Sequence, residues 1–101
     1  MSPTITIDLN ALSDFCVKNH IHKLSLFGSA VRADFQPESD LDLLVEFDPG
    51  HTPGLAFFSL SDDLCGLFGR KVDLNTAQSL SPYFREQVLS EIEVLYDAAR
   101  R

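Results

Sequence analysis

Apolar residues recur at helical spacing in three parts of the chain. The segment LNALSDFCVKNH has this spacing and follows Asp8, a suitable N-cap. A second stretch, Leu55 to Phe68, ends before Gly69, a residue typical of helix C-termini. A third begins at Ser81 and Pro82, which favour the cap and first position of a helix. The pattern predicts three helices, and the predicted core and packing residues of the last two are Phe57, Phe58, Leu60, Leu64, Leu67, Phe68, Tyr83, Phe84, Val88, Ile92 and Tyr96.

Three shorter segments alternate with a period of two, which predicts β-strands at Lys23–Phe27, Leu41–Phe47 and Lys71–Asn75. In the second strand the alternation places Leu41, Leu43, Val45 and Phe47 on one face, and Asp40, Asp42, Leu44 and Glu46 on the other. In the third strand Asp73 faces away from its apolar neighbours.

GSAVRADF predicts a further short helix capped by Ser29, and one segment is left open: EVLYD fits either the end of the last helix or a short strand. Helices and strands alternate along the chain, which predicts a small α/β or α+β layer with helices packed on a sheet.

Size and composition predict one domain over residues 1–101, with 45% apolar residues and no stretch near the ~20 needed for a membrane span. The N-terminus lacks the pattern of a signal peptide. Cys16 and Cys65 lie in apolar helical patterns, so we expect reduced core thiols, with a Cys16–Cys65 disulfide as the less favoured alternative. Reduced thiols favour a cytoplasmic location.

The charge balance restricts the partners. Eight Lys and Arg against fifteen Asp and Glu give a net charge of −7. An acidic surface repels a phosphate backbone, so direct binding of nucleic acid is disfavoured. A basic protein partner, or a cation that bridges to a small anion, fits better.

The most informative stretch is LFGSAVRADFQPESDLDLLVEF, where Gly28-Ser29 precedes the pair Asp40 and Asp42. Asp-x-Asp at a strand start is common on solvated edges. Here, however, the strand is strongly apolar, and Asp73 can supply a third carboxylate. Carboxylates without histidine or thiol ligands suit a hard cation such as Mg²⁺, which commonly pairs one or two of them with substrate phosphates. A helix start after Gly28-Ser29 would offer N–H groups to those phosphates.

Rival motifs are absent. The chain has no G-x-x-x-x-G-K-[ST] phosphate loop, and Val45 stands where a calcium loop beginning at Asp40 needs glycine. Ser29 lacks the G-x-S-x-G context of a hydrolase nucleophile. His20 and His22 are predicted surface residues, and His51 lies in a Pro/Gly loop near the expected rim of the site.

GSAVRADFQPESDLD resembles the G-S, ten-residue, D-x-D signature of the DNA polymerase β-like nucleotidyltransferases, and the size resembles their minimal nucleotidyltransferase (MNT) group. The resemblance covers about Lys23 to Tyr96 and implies an α+β fold with a small mixed sheet flanked by helices. It implies that Asp40, Asp42 and Asp73 are catalytic and bind Mg²⁺, two ions in all, and that Asp73 is the candidate base. Gly28, Ser29 and Arg32 would bind the nucleotide, with Arg32 alternatively paired to Asp34 or Glu38. Ala33 departs from the glycine that many relatives carry there.

The resemblance also implies a function. MNT proteins are encoded beside HEPN proteins as toxin–antitoxin pairs, and the MNT antitoxin transfers AMP from ATP to a tyrosine of the HEPN RNase. We therefore expect a Mg²⁺-dependent protein adenylyltransferase that forms a hetero-oligomer with a HEPN toxin and binds neither nucleic acid nor membrane. The alternatives are an antitoxin that acts by binding alone, and a nucleotidyltransferase for a small-molecule or RNA acceptor.

Overall fold

The computed structural model describes residues 8–28, 40–51 and 53–100, which form a four-stranded sheet and three α-helices. In chain order the elements are α1 (Leu9–Lys18), β1 (Ile21–Phe27), β2 (Leu41–Phe47), α2 (Ala56–Phe68), β3 (Val72–Asn75), α3 (Pro82–Ser90) and β4 (Glu93–Asp97). Short 3₁₀ turns follow β3, at Ala77–Ser79, and β4, at Ala98–Arg100. The helix expected in GSAVRADF falls outside the described residues, apart from Gly28.

The sheet is mixed, with strand order β3-β2-β1-β4. Strand β1 is antiparallel to both β2 and β4, whereas β2 and β3 are parallel. The C-terminal end of β1 and the N-terminal ends of β2 and β3 therefore meet at one edge of the sheet. The predicted α+β fold with a small mixed sheet is confirmed.

One face of the sheet carries the main core. Helices α1 and α2 contribute Leu12, Cys16, Leu60, Leu64 and Phe68 to it, and the strands contribute Ile21, Leu24, Leu26, Leu41, Leu43, Val45, Val72, Leu74 and Tyr96. Strand pairing aligns these side chains, because residues opposite each other share a face. None of the helices in the described ranges is both long and apolar enough to cross a membrane. The single domain and the cytoplasmic location stay predictions.

Local signals fix the helix ends where the sequence predicts them. The Asp8 carboxylate accepts hydrogen bonds from the backbone N–H groups of Asn10 and Ala11 and so caps α1. Gly69 ends α2 in the left-handed conformation, with φ of 67°. Ser81 caps α3, with its hydroxyl accepting from the Tyr83 N–H at 3.4 Å.

The cysteines are free thiols, as expected. Burial raises the pKa of Cys16 to about 12, so this thiol stays protonated. The Cys65 sulfur accepts a hydrogen bond from the Val72 N–H at 3.2 Å and ties α2 to β3.

The structure resolves one open alternative and corrects four predictions. EVLYD is strand β4, because β1 offers it an edge to pair with, and Ile92 consequently lies beyond the end of α3. Phe58, Tyr83 and Phe84 are 70%, 93% and 61% exposed, so none of them is a core residue. Helix α3 has no buried residue among its described positions, because it lies on the less covered face of the sheet.

The face of the sheet opposite the main core has polar side chains at the ends of the strands and buried side chains near the middle. Ser25 and Leu44 are strand partners with 1% and 2% exposure, and the 3₁₀ turn at Ala77–Ser79 packs near β2. The Arg85 guanidinium donates to the carbonyls of Ala77 and Leu80, at 2.9 and 3.3 Å, which fixes α3 relative to that turn.

Candidate active site

Strand pairing brings two of the predicted carboxylates side by side. Asp42 in β2 is the partner of Asp73 in β3, and on its other side it is the partner of Phe27 in β1. The three residues form one row across three strands. Because Leu41 and Leu43 point into the core, this row lies on the opposite face.

The electrostatics of the row are unfavourable for a bare carboxylate. The pKa of Asp42 is raised above its ordinary value, first by burial, then by the charge of Asp73 and then by that of Asp40. The charged form of Asp42 is therefore disfavoured unless a positive group approaches.

Asp40 lies beside the row and has a cationic partner. Its carboxylate oxygen Oδ2 is 3.8 Å from Lys71 Nζ, and both side chains are well exposed. The adjoining backbone is held by the Leu41 N–H, which donates to the Lys71 carbonyl at 2.9 Å. Asp40 and Lys71 thus lie directly before the first paired residues of β2 and β3, and Asp42 pairs with Asp73 two positions further along.

The donor chemistry of this array fits Mg²⁺. Carboxylate oxygens are its preferred protein ligands, and it needs only one or two of them when substrate phosphates complete its coordination. Within residues 8–28, 40–51 and 53–100, no group of three or more His, Cys, Asp and Glu side chains is arranged to hold a metal ion. The array therefore offers an adjacent pair, Asp42 and Asp73, with Asp40 held by Lys71.

Gly28 follows β1 and approaches Asp42 closely. Its φ is +68°, and a Cβ built on it would lie 2.5 Å from Asp42 Oδ2. Only glycine meets both conditions without strain, because other residues disfavour this φ and their Cβ would displace the carboxylate. The glycine that the sequence singled out thus leaves room for the Asp42 carboxylate.

Other predicted residues are placed differently. Ser29 and Arg32 lie outside the described residues, so their predicted roles stay predictions. His51 is not near the carboxylates: it stacks on His20 with 4.0 Å between ring centroids, at the opposite end of β2. His22 pairs with Asp48 at 3.4 Å at that same end. The prediction that His51 lies at the rim is wrong, because the loop leaves the sheet where β2 ends.

Two features of the edge were not anticipated. One is Lys71, beside Asp40. The sequence does contain a signal for it, because Lys71 stands two residues before Asp73 in an alternating segment and so falls on the carboxylate face. The other is a cavity of about 290 Å³ between the end of β1 and helix α3. Its lining residues are Phe27, Gly28, Phe84, Gln87, Val88 and Glu91. No local pattern indicated it, because it forms between segments about 60 residues apart.

A mixed sheet with paired carboxylates beside a glycine at one edge fits the nucleotidyltransferase class that the sequence resembles. The family model described as Polymerase beta, Nucleotidyltransferase matches residues 10–101, and the chain belongs to this family. Protein adenylyltransferase MntA of Thermococcus cleftensis is 36% identical over 73 residues, which are 71% of this chain and 72% of that protein. A solved structure provisionally identified as a minimal nucleotidyltransferase is 38% identical, with a TM-score of 0.69, and the match covers 84% of this chain and 86% of the other.

Two solved toxin–antitoxin complexes show the same fold at lower identity. One, with AMP-PNP, matches at 22% identity and a TM-score of 0.71, covering 93% of this chain and 77% of the other. The other holds a tri-AMPylated HEPN toxin of Shewanella oneidensis with its MNT antitoxin, and matches at 21% identity and a TM-score of 0.63, covering 91% and 71%. The predicted family and the nucleotidyltransferase class are confirmed.

Proposed function

We propose that this chain is a Mg²⁺-dependent protein adenylyltransferase that transfers AMP from ATP to a tyrosine hydroxyl of a HEPN-family toxin and thereby acts as its antitoxin. The observation that carries the proposal is the Asp42–Asp73 pair beside Gly28, in a chain of the nucleotidyltransferase family. The name of the Thermococcus relative and the AMPylated toxin in the Shewanella complex support protein as the acceptor.

The residues have distinct roles in this reaction. Asp42 and Asp73, with Asp40, would hold Mg²⁺, whose charge stabilises the attacking and leaving oxygens. The acceptor hydroxyl oxygen attacks the α-phosphorus of ATP, the bond to pyrophosphate breaks, and the hydroxyl proton goes to Asp73. Gly28 keeps the Asp42 carboxylate in place, and Ser29 and Arg32 bind the triphosphate. Burial of Asp42 strengthens its attraction to a cation, because fewer water molecules screen it.

The acidic charge suits this partner. A net charge of −7 favours contact with a basic surface, such as an RNase uses to bind RNA, and disfavours an RNA acceptor. The alternative is an antitoxin that neutralises the toxin by binding alone. Such an antitoxin would not need paired carboxylates, and the first experiment distinguishes it from an enzyme.

The first experiment measures transfer directly. The purified chain is incubated with Mg²⁺, ATP labelled on the α-phosphate, and the HEPN protein encoded beside it. We expect label on the toxin, and loss of both label and toxin neutralisation in the variant Asp40→Asn plus Asp42→Asn. Asp62→Asn plus Asp63→Asn is the matched control, because these two aspartates are exposed on α2. If the Asp40→Asn plus Asp42→Asn variant transfers no label and still neutralises the toxin fully, binding alone suffices.

A second experiment tests whether Lys71 competes with the metal for Asp40. Replacing Lys71 with methionine removes one positive charge that competes with Mg²⁺ for the carboxylates. We expect Mg²⁺ to bind a few-fold more tightly, because the interaction of one unit charge in a water-like environment has about this size. Stability should change by less than ~1 kcal/mol, because the pair is exposed. Mg²⁺ titration by calorimetry measures the affinity, and Lys18→Met, an exposed lysine on α1, is the control. Weaker Mg²⁺ binding by the Lys71 variant would contradict the competition.

A further inference from the structure

We propose that this chain also transfers AMP to itself, from ATP held by one copy to the Tyr83 hydroxyl of a second copy. The inference rests on the proposed function, because it uses the same transfer of AMP to a tyrosine hydroxyl. It differs in the acceptor, which is a residue of this chain and not of a toxin. It gives a role to an aromatic side chain that neither the core nor the carboxylate row uses.

Burial leaves one tyrosine of the chain accessible. The sequence contains two tyrosines, Tyr83 and Tyr96. Tyr96 belongs to the core and is 6% exposed, whereas Tyr83 is 93% exposed. An acceptor hydroxyl has to enter the active site of the enzyme that modifies it, because its oxygen must reach the α-phosphorus. Tyr83 meets this condition in the folded chain, and Tyr96 does not.

The position of Tyr83 in α3 leaves its side chain without contacts that would hold it back. Helix α3 begins at Pro82 with Ser81 as its cap, so Tyr83 is the second residue of the first turn. Its backbone N–H donates to the Ser81 hydroxyl, but its own hydroxyl makes no hydrogen bond within the described residues. Exposed aromatic rings are also a residue type enriched where proteins contact each other. The ring can therefore enter another molecule without breaking a contact in its own chain.

The arrangement favours transfer between two copies over transfer within one. Phe84 lines the cavity beside Gly28, and Gly28 approaches the Asp42 carboxylate. Successive residues of a helix project about 100° apart, because the helix has 3.6 residues per turn. Tyr83 does not line the cavity and so points away from the carboxylate row of its own chain. The row of a second copy is open to it, because Asp73 is exposed at the edge of the sheet.

The chemical step is the same displacement with a different acceptor. The Tyr83 oxygen attacks the α-phosphorus of ATP at the carboxylates of the other copy, and a new phosphorus–oxygen bond forms. The bond to pyrophosphate breaks, and pyrophosphate leaves with its electron pair. The hydroxyl proton goes to Asp73 of the copy that holds ATP. The step needs no reactant besides ATP, and its product is a phosphodiester at the start of α3.

The net charge predicts how self-transfer depends on salt. Each copy carries a net charge of −7, so two copies repel each other, and salt favours their encounter because it screens the repulsion. The basic surface expected of the toxin is attracted to the same acidic chain, so salt weakens that encounter. At saturating Mg²⁺ and ATP, self-transfer should therefore rise with ionic strength, whereas transfer to the toxin should fall.

The main experiment incubates the purified chain alone with Mg²⁺ and ATP labelled on the α-phosphate. We expect label on the peptide that contains Tyr83, located by mass spectrometry, at a rate per chain that increases in proportion to the chain concentration. Tyr83→Phe keeps the ring and removes the acceptor oxygen, so it should carry no label and still modify the toxin at the parent rate. Tyr96→Phe is the matched control and should be labelled like the parent, because Tyr96 is buried.

Mixing two variants tests whether transfer occurs between copies. Asp42→Asn keeps the acceptor but has an impaired carboxylate site, whereas Tyr83→Phe keeps the site and lacks the acceptor. Each variant alone should carry little or no label. In the mixture, label should appear on the Asp42→Asn chain, which an affinity tag distinguishes from the other. An unlabelled mixture, where the parent labels itself, would overturn transfer between copies. Circular dichroism melting curves establish that each variant is folded.

The outcomes separate this inference from the proposed function. A labelled toxin together with an unlabelled parent chain would overturn self-transfer and leave the proposed function intact. Label on Tyr83 in a chain that modifies no toxin would support self-transfer and overturn the proposed function. Label that persists in Tyr83→Phe would mean that another residue is the acceptor, and self-transfer that falls with ionic strength would contradict an encounter between two acidic copies.

Discussion

Replacing Asp42 with asparagine should stabilise the metal-free protein while it abolishes AMP transfer. Asp42 is half-buried beside Asp73, and in the absence of a metal its charged form is disfavoured first by burial and then by the charges of Asp73 and Asp40. Asparagine has nearly the same shape and carries no charge, so the repulsion disappears and the melting temperature at pH 7 should rise. Transfer should fall by at least ~10²–10³-fold, the loss typical of removing one group that stabilises the transition state.

The gain in stability should depend on pH in a defined direction. Because the folded protein raises the pKa of Asp42 above its ordinary value of 3.8, the folded state holds the proton more tightly than the unfolded state does. The stability that Asp42 contributes is fully present below pH 3.8 and is lost as the pH rises through the folded-state pKa. The melting temperatures of parent and Asp42→Asn should therefore converge in acid and separate towards neutral pH.

Ligand binding should reverse the order of stability. Mg²⁺ with ATP should raise the melting temperature of the parent, by the equivalent of about 2.7 kcal/mol at a hundred times the dissociation constant. The Asp42→Asn variant should gain little. Asp63→Asn, on the exposed side of α2, is the control and should follow the parent in both states. A variant that melts below the parent without metal, or that keeps the full response to Mg²⁺ and ATP, would contradict the carboxylate site.

The sequence predicts the identity of the site residues better than their arrangement. The period of two in β2 correctly places Asp42 opposite the core, because alternation is a property of a single strand. That Asp42 and Asp73 face each other depends on the β2–β3 register, which joins residues 31 positions apart in the chain and is set by packing of Leu41, Leu43, Val72 and Leu74. Lys71 reaches Asp40 through the same register.

The last 20 residues show where local patterns are insufficient. EVLYD and the turn before it contain apolar residues that suit either a helix or a strand, and only the free edge of β1 decides in favour of β4. The exposed rings of Phe58 and Phe84 follow a related rule: an apolar residue type favours burial but does not guarantee it. Phe84 lines the cavity beside Gly28, whereas nothing in the described residues explains the exposure of Phe58.

Replacing Gly28 with alanine should lower stability no more than replacing Gly69 with alanine does. It should, however, strongly reduce AMP transfer. Gly28 and Gly69 have nearly the same positive φ, +68° and +67°, so alanine costs about 1 kcal/mol of backbone strain at either position. They differ in surroundings: a Cβ at Gly69 meets nothing within 4 Å, whereas one at Gly28 would lie 2.5 Å from Asp42 Oδ2. The atom it meets is the end of a rotatable side chain, so the carboxylate can move aside at little cost in stability.

The two glycine variants therefore form a matched pair. Both should melt about 4–8 °C below the parent, the shift that corresponds to ~1 kcal/mol in a domain of this size. Gly69→Ala should keep the parent kcat/KM, whereas Gly28→Ala should lose about 10²-fold, because a displacement of about 1 Å at a catalytic group has that effect. In an Asp42→Asn background, Gly28→Ala should cause little further loss, since the carboxylate that it displaces is already absent. Equal activity of the two glycine variants would show that Gly28 does not act through Asp42.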